Sequence, residues 1–276
     1  MFGLEWAELI TTVIALALCG LVGGFLAGLL GIGGGMIFVP VFYYVFTAFF
    51  KVNPDVAMML AAGTSLTCMI PTSITAAIAQ YRRGNTNLET IKTWAPGMIL
   101  GVITGSLISS FYGGQWLAIM FGVIMIFNAL NTLFRAKAKP MFDSLPGPWW
   151  QRLIGFLIAC FSVMLGIGGG TLTVPVLNAC NEEPHRSVGT SSAVSLFVCV
   201  PGAIILFVTG TTPENAPVLT LGYVSWLAAL CVVPCSMFTA TMGVKVGKMI
   251  APTTLKRIFA LALLCVAVRM LISGLS

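Results

Sequence analysis

Leu30-Gly31-Ile32-Gly33-Gly34-Gly35, with Val39-Pro40-Val41 just beyond it, is the stretch whose reading decides the fold. It returns at an offset of 135 as Leu165-Gly166-Ile167-Gly168-Gly169-Gly170 and Val174-Pro175-Val176, with nine of twelve positions identical. Both copies lie in apolar surroundings. Glycine there lets the backbone leave a helix, adopt positive φ and approach a neighbour closely. A helix break in a hydrophobic run exposes N–H and C=O groups that hydrocarbon cannot satisfy, so protein must bury it or it must line a cavity. Two breaks at corresponding places in two halves point to a transporter binding site.

Further blocks recur in the same order. Gly63-Thr64-Ser65 and Ala77-Ile78 match Gly189-Thr190-Ser191 and Ala203-Ile204 at offset 126. Pro96, Gly105, Leu117 and Phe121 match Pro234, Gly243, Leu255 and Phe259 at offset 138. The chain is an internal duplication.

The composition places it in a membrane. Hydrophobic residues make up 58% and charged residues 8% of the chain, against about 25% charged in soluble domains, and the mean hydropathy is +1.01. No Lys or Arg precedes the first apolar run, so that run is expected to be retained rather than cleaved as a signal peptide. The net charge of +6 is read as basic residues gathered in cytoplasmic loops rather than as a nucleic-acid surface. Eight cysteines without a CxxC pair, beside the single His185, give a zinc site little support.

The apolar runs are 9–30, 36–50, 56–80, 94–112 and 114–134, then 151–165, 171–180, 187–210, 219–244 and 252–274. A span takes about 20 helical residues. Runs 36–50 and 171–180 are short for that, which leaves open full spans or half-helices of re-entrant hairpins. With an odd number of crossings per half and the N-terminus outside, 12 of the 14 Lys and Arg residues face the cytoplasm and only Lys51 lies outside. An even number gives seven against six. The first arrangement fits the positive-inside rule. The expected fold is therefore an all-α integral membrane protein of two inverted-topology repeats, each with five hydrophobic segments and a glycine-broken re-entrant or half helix. The first repeat spans 1–139, a cytoplasmic linker 140–150, and the second repeat 151–276, with both termini outside.

In such a pair the breaks enter from opposite sides and can meet near the midplane. Each precedes a short helix whose first N–H groups lack intrahelical partners, and these groups with the helix dipole suit an anion. Gly33, Gly34, Gly35, Gly168, Gly169 and Gly170 are the candidate binding residues, the plain alternative being tight helix packing. Thr64, Ser65, Thr190 and Ser191 are the next candidates, as hydroxyl donors to the anion or as caps of the broken helices. For both Gly-Thr-Ser copies to reach one site, the run Glu182-Glu183-Pro184-His185-Arg186 must dip toward a cavity. Arg269, inside the apolar run 252–274, either attracts the anion or snorkels to the surface. The glycine cluster fails as a dinucleotide fingerprint, since its last glycine would fall on Met36 or Thr171, and a Walker lysine is missing. An intramembrane enzyme lacks its nucleophile–base pair or metal ligands.

On the duplicated Gly-x-Gly-Gly-Gly with Val-Pro-Val, and on the Gly-Thr-Ser of the following helix, the chain resembles the TauE/SafE family of membrane permeases. The resemblance covers nearly the whole length. It implies a transporter of the bacterial cytoplasmic (inner) membrane for a small sulfur-containing anion: sulfite, sulfoacetate or another sulfonate, or thiosulfate. It implies no cofactor, no metal and no catalytic residue, and the partners are that anion and the lipid bilayer. Many family members carry a histidine around Gln80, so no coupling role is assigned to that helix, and the coupling ion and oligomeric state stay open. Alternating access is the expected mechanism, with a passive anion channel for the same substrates as the alternative.

Overall fold

The computed structural model describes residues 6–111, 113–134, 141–213 and 215–247, together with 260, 264–272 and 274. Lys137, Lys139, Lys248, Lys256, Arg257, Leu255 and Phe259, the start of the linker 140–150 and most of the run 252–274 lie outside the described residues. The described part is nearly all helix: α1 (Trp6–Leu30), α2 (Gly35–Ala48), α3 (Pro54–Tyr81), α4 (Leu88–Phe111), α5 (Gly114–Phe134), α6 (Pro148–Leu165), α7 (Gly170–Ala179), α8 (Pro184–Thr209) and α9 (Trp226–Val246). Residues 264–272 are helical as well.

Seven of these helices are long and apolar enough to cross a membrane. Their outer surface carries exposed Leu18, Leu100, Phe127, Leu230 and Phe238, the residues that hydrocarbon solvates. The helix α2 has 14 residues and α7 has 10. At ~1.5 Å rise per residue they reach about 21 and 15 Å, short of a hydrocarbon core of about 30 Å.

Starts are set by local chemistry. Pro54, Pro148 and Pro184 occupy the first position of α3, α6 and α8, where a missing N–H costs nothing. The Asn53 side chain accepts from Asp55 N at 3.0 Å. Helix α6 begins within the stretch expected to be linker, and the chain ahead of it is tied down by Met141 and Phe142 N–H groups donating to the Ala179 carbonyl. The run expected to be helical from residue 219 opens instead as a two-stranded antiparallel hairpin, Thr220–Leu221 against Val224–Ser225. Leu219 and Gly222 there have φ of 64° and 57°, which no helix accommodates. Only at Ser225, whose hydroxyl accepts from Ala228 N, does α9 start.

The packing is reciprocal between the halves. Along α1, Gly20, Gly24 and Gly28 lie against Val232, Ser236 and Ala240 of α9; along α4, Gly97, Gly101 and Gly105 lie against Arg152, Phe156 and Cys160 of α6. Numbers rise together in both sets, so each pair runs parallel. Glycine at the crossings lets backbone touch backbone, the way helices associate where no hydrophobic gradient drives them together. The central pair, α3 and α8, runs antiparallel. Gly189 near the start of α8 abuts the Asn85 carbonyl just past the end of α3, and Gly63 near the start of α3 abuts the Tyr223 carbonyl beyond the end of α8.

Candidate functional site

The two glycine breaks fold alike. Gly31, Gly33 and Gly34 have φ of 68°, 74° and 86°; Gly166, Gly168 and Gly169 have 69°, 66° and 77°. Side chains rarely adopt this region, which is why the sequence spends glycine there. In the first copy the chain doubles back at the break, so that Phe38 of α2 faces Gly23 of α1 and a Cβ on Gly34 would stand 3.1 Å from the Gly23 carbonyl oxygen.

The breaks touch. A Cβ on Gly35 would stand 2.7 Å from the Gly166 carbonyl oxygen, and one on Gly170 would run into the Gly31 carbonyl. Both carbonyls have lost their helical partners, and a serine from the opposite half serves each. Ser65 Oγ donates to Gly166 O and Ser191 Oγ to Gly31 O, both at 2.8 Å. Ser191 also lies 2.9 Å from its own Val188 carbonyl.

Donors remain unmatched at the helix starts. The N–H groups of Gly35, Met36 and Thr171 have no acceptor among the described residues, whereas Gly170 N donates to Gly168 O and Thr173 N to Gly169 O. The Thr171 hydroxyl is also buried without a hydrogen-bond partner. In the second position of α7 its Cβ tilts toward the helix start, that is, toward the break. Thr173, by contrast, closes its hydroxyl onto Gly169 O at 2.9 Å. No charged side chain among the described residues is buried. An anion entering here would meet only backbone and hydroxyl dipoles, the arrangement of helix-terminal anion sites.

The other threonines lie elsewhere. Thr64 Oγ1 accepts from Ser225 N at 3.0 Å and Thr190 Oγ1 from Asn87 N at 2.9 Å. They pin the loops that start α9 and α4. The run Glu182–Arg186 leads into α8 as an exposed start, with Arg186 paired to Glu182 at 3.4 Å. Arg269 places its guanidinium 4.4 Å above the Tyr44 ring. The groups that sequence reading passed over are Met69 and Ser195, four residues after Ser65 and Ser191 and therefore on the same helix faces. Ser195 Oγ is 3.3 Å from the Cβ position of Gly33 and 2.8 Å from that of Gly170. Among the described residues, the acid, cysteine and histidine side chains form no cluster that could hold a metal ion.

Residues 16–270 match the family described as sulfite exporter TauE/SafE. The chain belongs to that family. Its relatives include a probable membrane transporter protein of Haemophilus influenzae, 29% identical over 94% of this chain and 98% of its own length. A second, YunE of Bacillus subtilis, also described as a probable membrane transporter protein, is 25% identical over 95% of this chain and 98% of its own. A third, of Methanocaldococcus jannaschii, is 26% identical over 90% and 91%. With seven helices of spanning length and such relatives, this TauE/SafE member is a multi-pass membrane transporter.

Proposed function

We propose that the protein is a secondary transporter that carries a small sulfur-containing anion, such as sulfite, thiosulfate or a sulfonate like sulfoacetate, across the cytoplasmic membrane by alternating access. The anion binds where the breaks meet, held by the first N–H groups of α2 and α7 and by nearby hydroxyls. The halves are inverted-topology repeats, and rocking between them opens the site to either side.

The observation that carries this reading is the reciprocal contact of the breaks, Ser65 with Gly166 and Ser191 with Gly31, beside N–H groups that nothing in the described protein satisfies. The antiparallel α3–α8 pair supports inversion, since corresponding helices of inverted repeats run oppositely. Charge supports both termini outside. Arg83 donates to the Val244 carbonyl, Gly189 abuts Asn85 and Gly97 abuts Arg152. These contacts gather Arg82, Arg83, Lys92, Arg152, Arg186 and Lys245 at one end of the bundle, as a cytoplasmic face requires.

The test is counterflow of labelled sulfite, thiosulfate and sulfoacetate in proteoliposomes, with Gly34→Val and Gly169→Val alongside. Saturable counterflow in the native protein, lost in both variants while they stay folded, is the expected result. Normal transport by both variants removes the site from the breaks. Downhill flux without counterflow would make the protein a channel.

A further inference from the structure

The two halves differ at the position where their central helices face the breaks. Position 69 carries methionine and its counterpart, 195, carries serine. Met69 is fully buried. Its Cε lies where a Cβ of either Gly33 or Gly168 would have to go, and its Sδ is 2.8 Å from the Cβ position of Gly35 and 2.9 Å from that of Gly168. One thioether therefore rests on glycines of both breaks from the α3 side, while the Ser195 hydroxyl approaches Gly33 and Gly170 from the α8 side.

The thioether is held by packing, with one weak polar contact. Its polar neighbour is Ser65 Oγ at 3.8 Å, and that hydroxyl already donates to Gly166 O at 2.8 Å. Methionine is unbranched, with three rotatable bonds, and adapts to irregular gaps. For an anion to enter, this side chain has to change rotamer. The volume it vacates is of the order of a small oxyanion, since the side chain has as many heavy atoms as sulfite.

We propose that Met69 is the size-selecting side chain of the transport site: its thioether occupies the space the anion takes over, and the distance it can withdraw sets the largest anion admitted. The proposal rests on the reading that the anion binds at the breaks. A single methylene in an apolar pocket changes selectivity by about 10–200-fold, so truncating Met69 should have a large effect.

The experiment is an affinity series on the purified full chain, read as ligand-induced thermal stabilisation, with methanesulfonate, ethanesulfonate and butanesulfonate as probes. The native protein should prefer the shortest. In Met69→Ala, and to a lesser degree in the more conservative Met69→Cys, the preference for methanesulfonate over butanesulfonate should fall by at least about tenfold. In Ser195→Met, which adds a second thioether, even methanesulfonate should bind at least about tenfold more weakly. Unchanged size preference in folded Met69→Ala and Met69→Cys overturns the proposal, as does a native protein that does not discriminate by size. If size preference is unchanged while Gly34→Val and Gly169→Val still lose binding, only the role of Met69 falls. If the glycine variants bind normally, the site itself falls and Met69 with it.

Discussion

Ser65 of α3 donates its hydroxyl proton to the carbonyl of Gly166, the residue that caps α6 in the other half, at 2.8 Å, and Ser191 of α8 does the same for Gly31. A helix that stops inside an apolar bundle leaves carbonyls unsatisfied, and each costs several kcal/mol in hydrocarbon. The halves therefore cannot be satisfied separately: each repairs the break of the other. This ties the meeting point of the breaks to the central α3–α8 pair, so a change in how these helices pack must be felt at both breaks together.

Replacing Ser65 or Ser191 by alanine should cost about 1–3 kcal/mol each, the cost of leaving a buried carbonyl without its donor. Thermal melts in detergent should show lowered midpoints for both variants. A neutral Ser191→Ala beside a destabilised Ser65→Ala would show that the two contacts are not equivalent.

Much of this arrangement was legible in the chain. Glycine at positions that need positive φ marked both breaks, and the short runs behind them became helices too short to span. Other features were hidden for identifiable reasons. Hydropathy falls off before a helix does: α4 begins at Leu88 and carries Glu89 and Lys92, because the Asn87 side chain accepts from Thr90 N and fixes the start there. The hairpin at residues 220–225 is apolar enough to read as the start of a helix, although Gly222 turns it back. Thr64 and Thr190 read as donors to an anion or as caps of the broken helices; their hydroxyls also accept from loops that follow a different helix in the opposite half. Contacts of that kind depend on how the halves dock, which no one-dimensional pattern records. Met69 is marked in the chain only by its spacing of four after Ser65, which puts it on the same helix face.

Thr171→Val separates binding from folding because the two should move in opposite directions. The Thr171 hydroxyl is buried and unpartnered, so an isosteric apolar replacement removes a desolvation cost, and the protein should gain up to about 1–3 kcal/mol of stability. If that hydroxyl donates to the bound anion, affinity for sulfite should fall by a hydrogen bond to a charged group, about 1.5–3 kcal/mol. A higher melting midpoint with unchanged sulfite affinity would mean that the hydroxyl faces a void and not the ligand.

Arg269 gives the last prediction. Its guanidinium sits 4.4 Å above the ring of Tyr44 on α2, and its side chain is exposed. A cation over an aromatic face contributes about 0.5–2 kcal/mol depending on how far it is desolvated. The ring supplies the attraction, so Tyr44→Phe should keep it, while Tyr44→Leu and Arg269→Gln should lower the melting midpoint by similar amounts. Arg269→Gln should leave sulfite affinity unchanged, because the guanidinium is engaged with α2 and the breaks present dipoles rather than charges to the anion. A large loss of affinity in Arg269→Gln, with little loss in Tyr44→Leu, would instead make Arg269 an electrostatic attractor for the substrate. The salt dependence of affinity in the two variants would then differ as well, since an attraction between separated charges weakens with ionic strength.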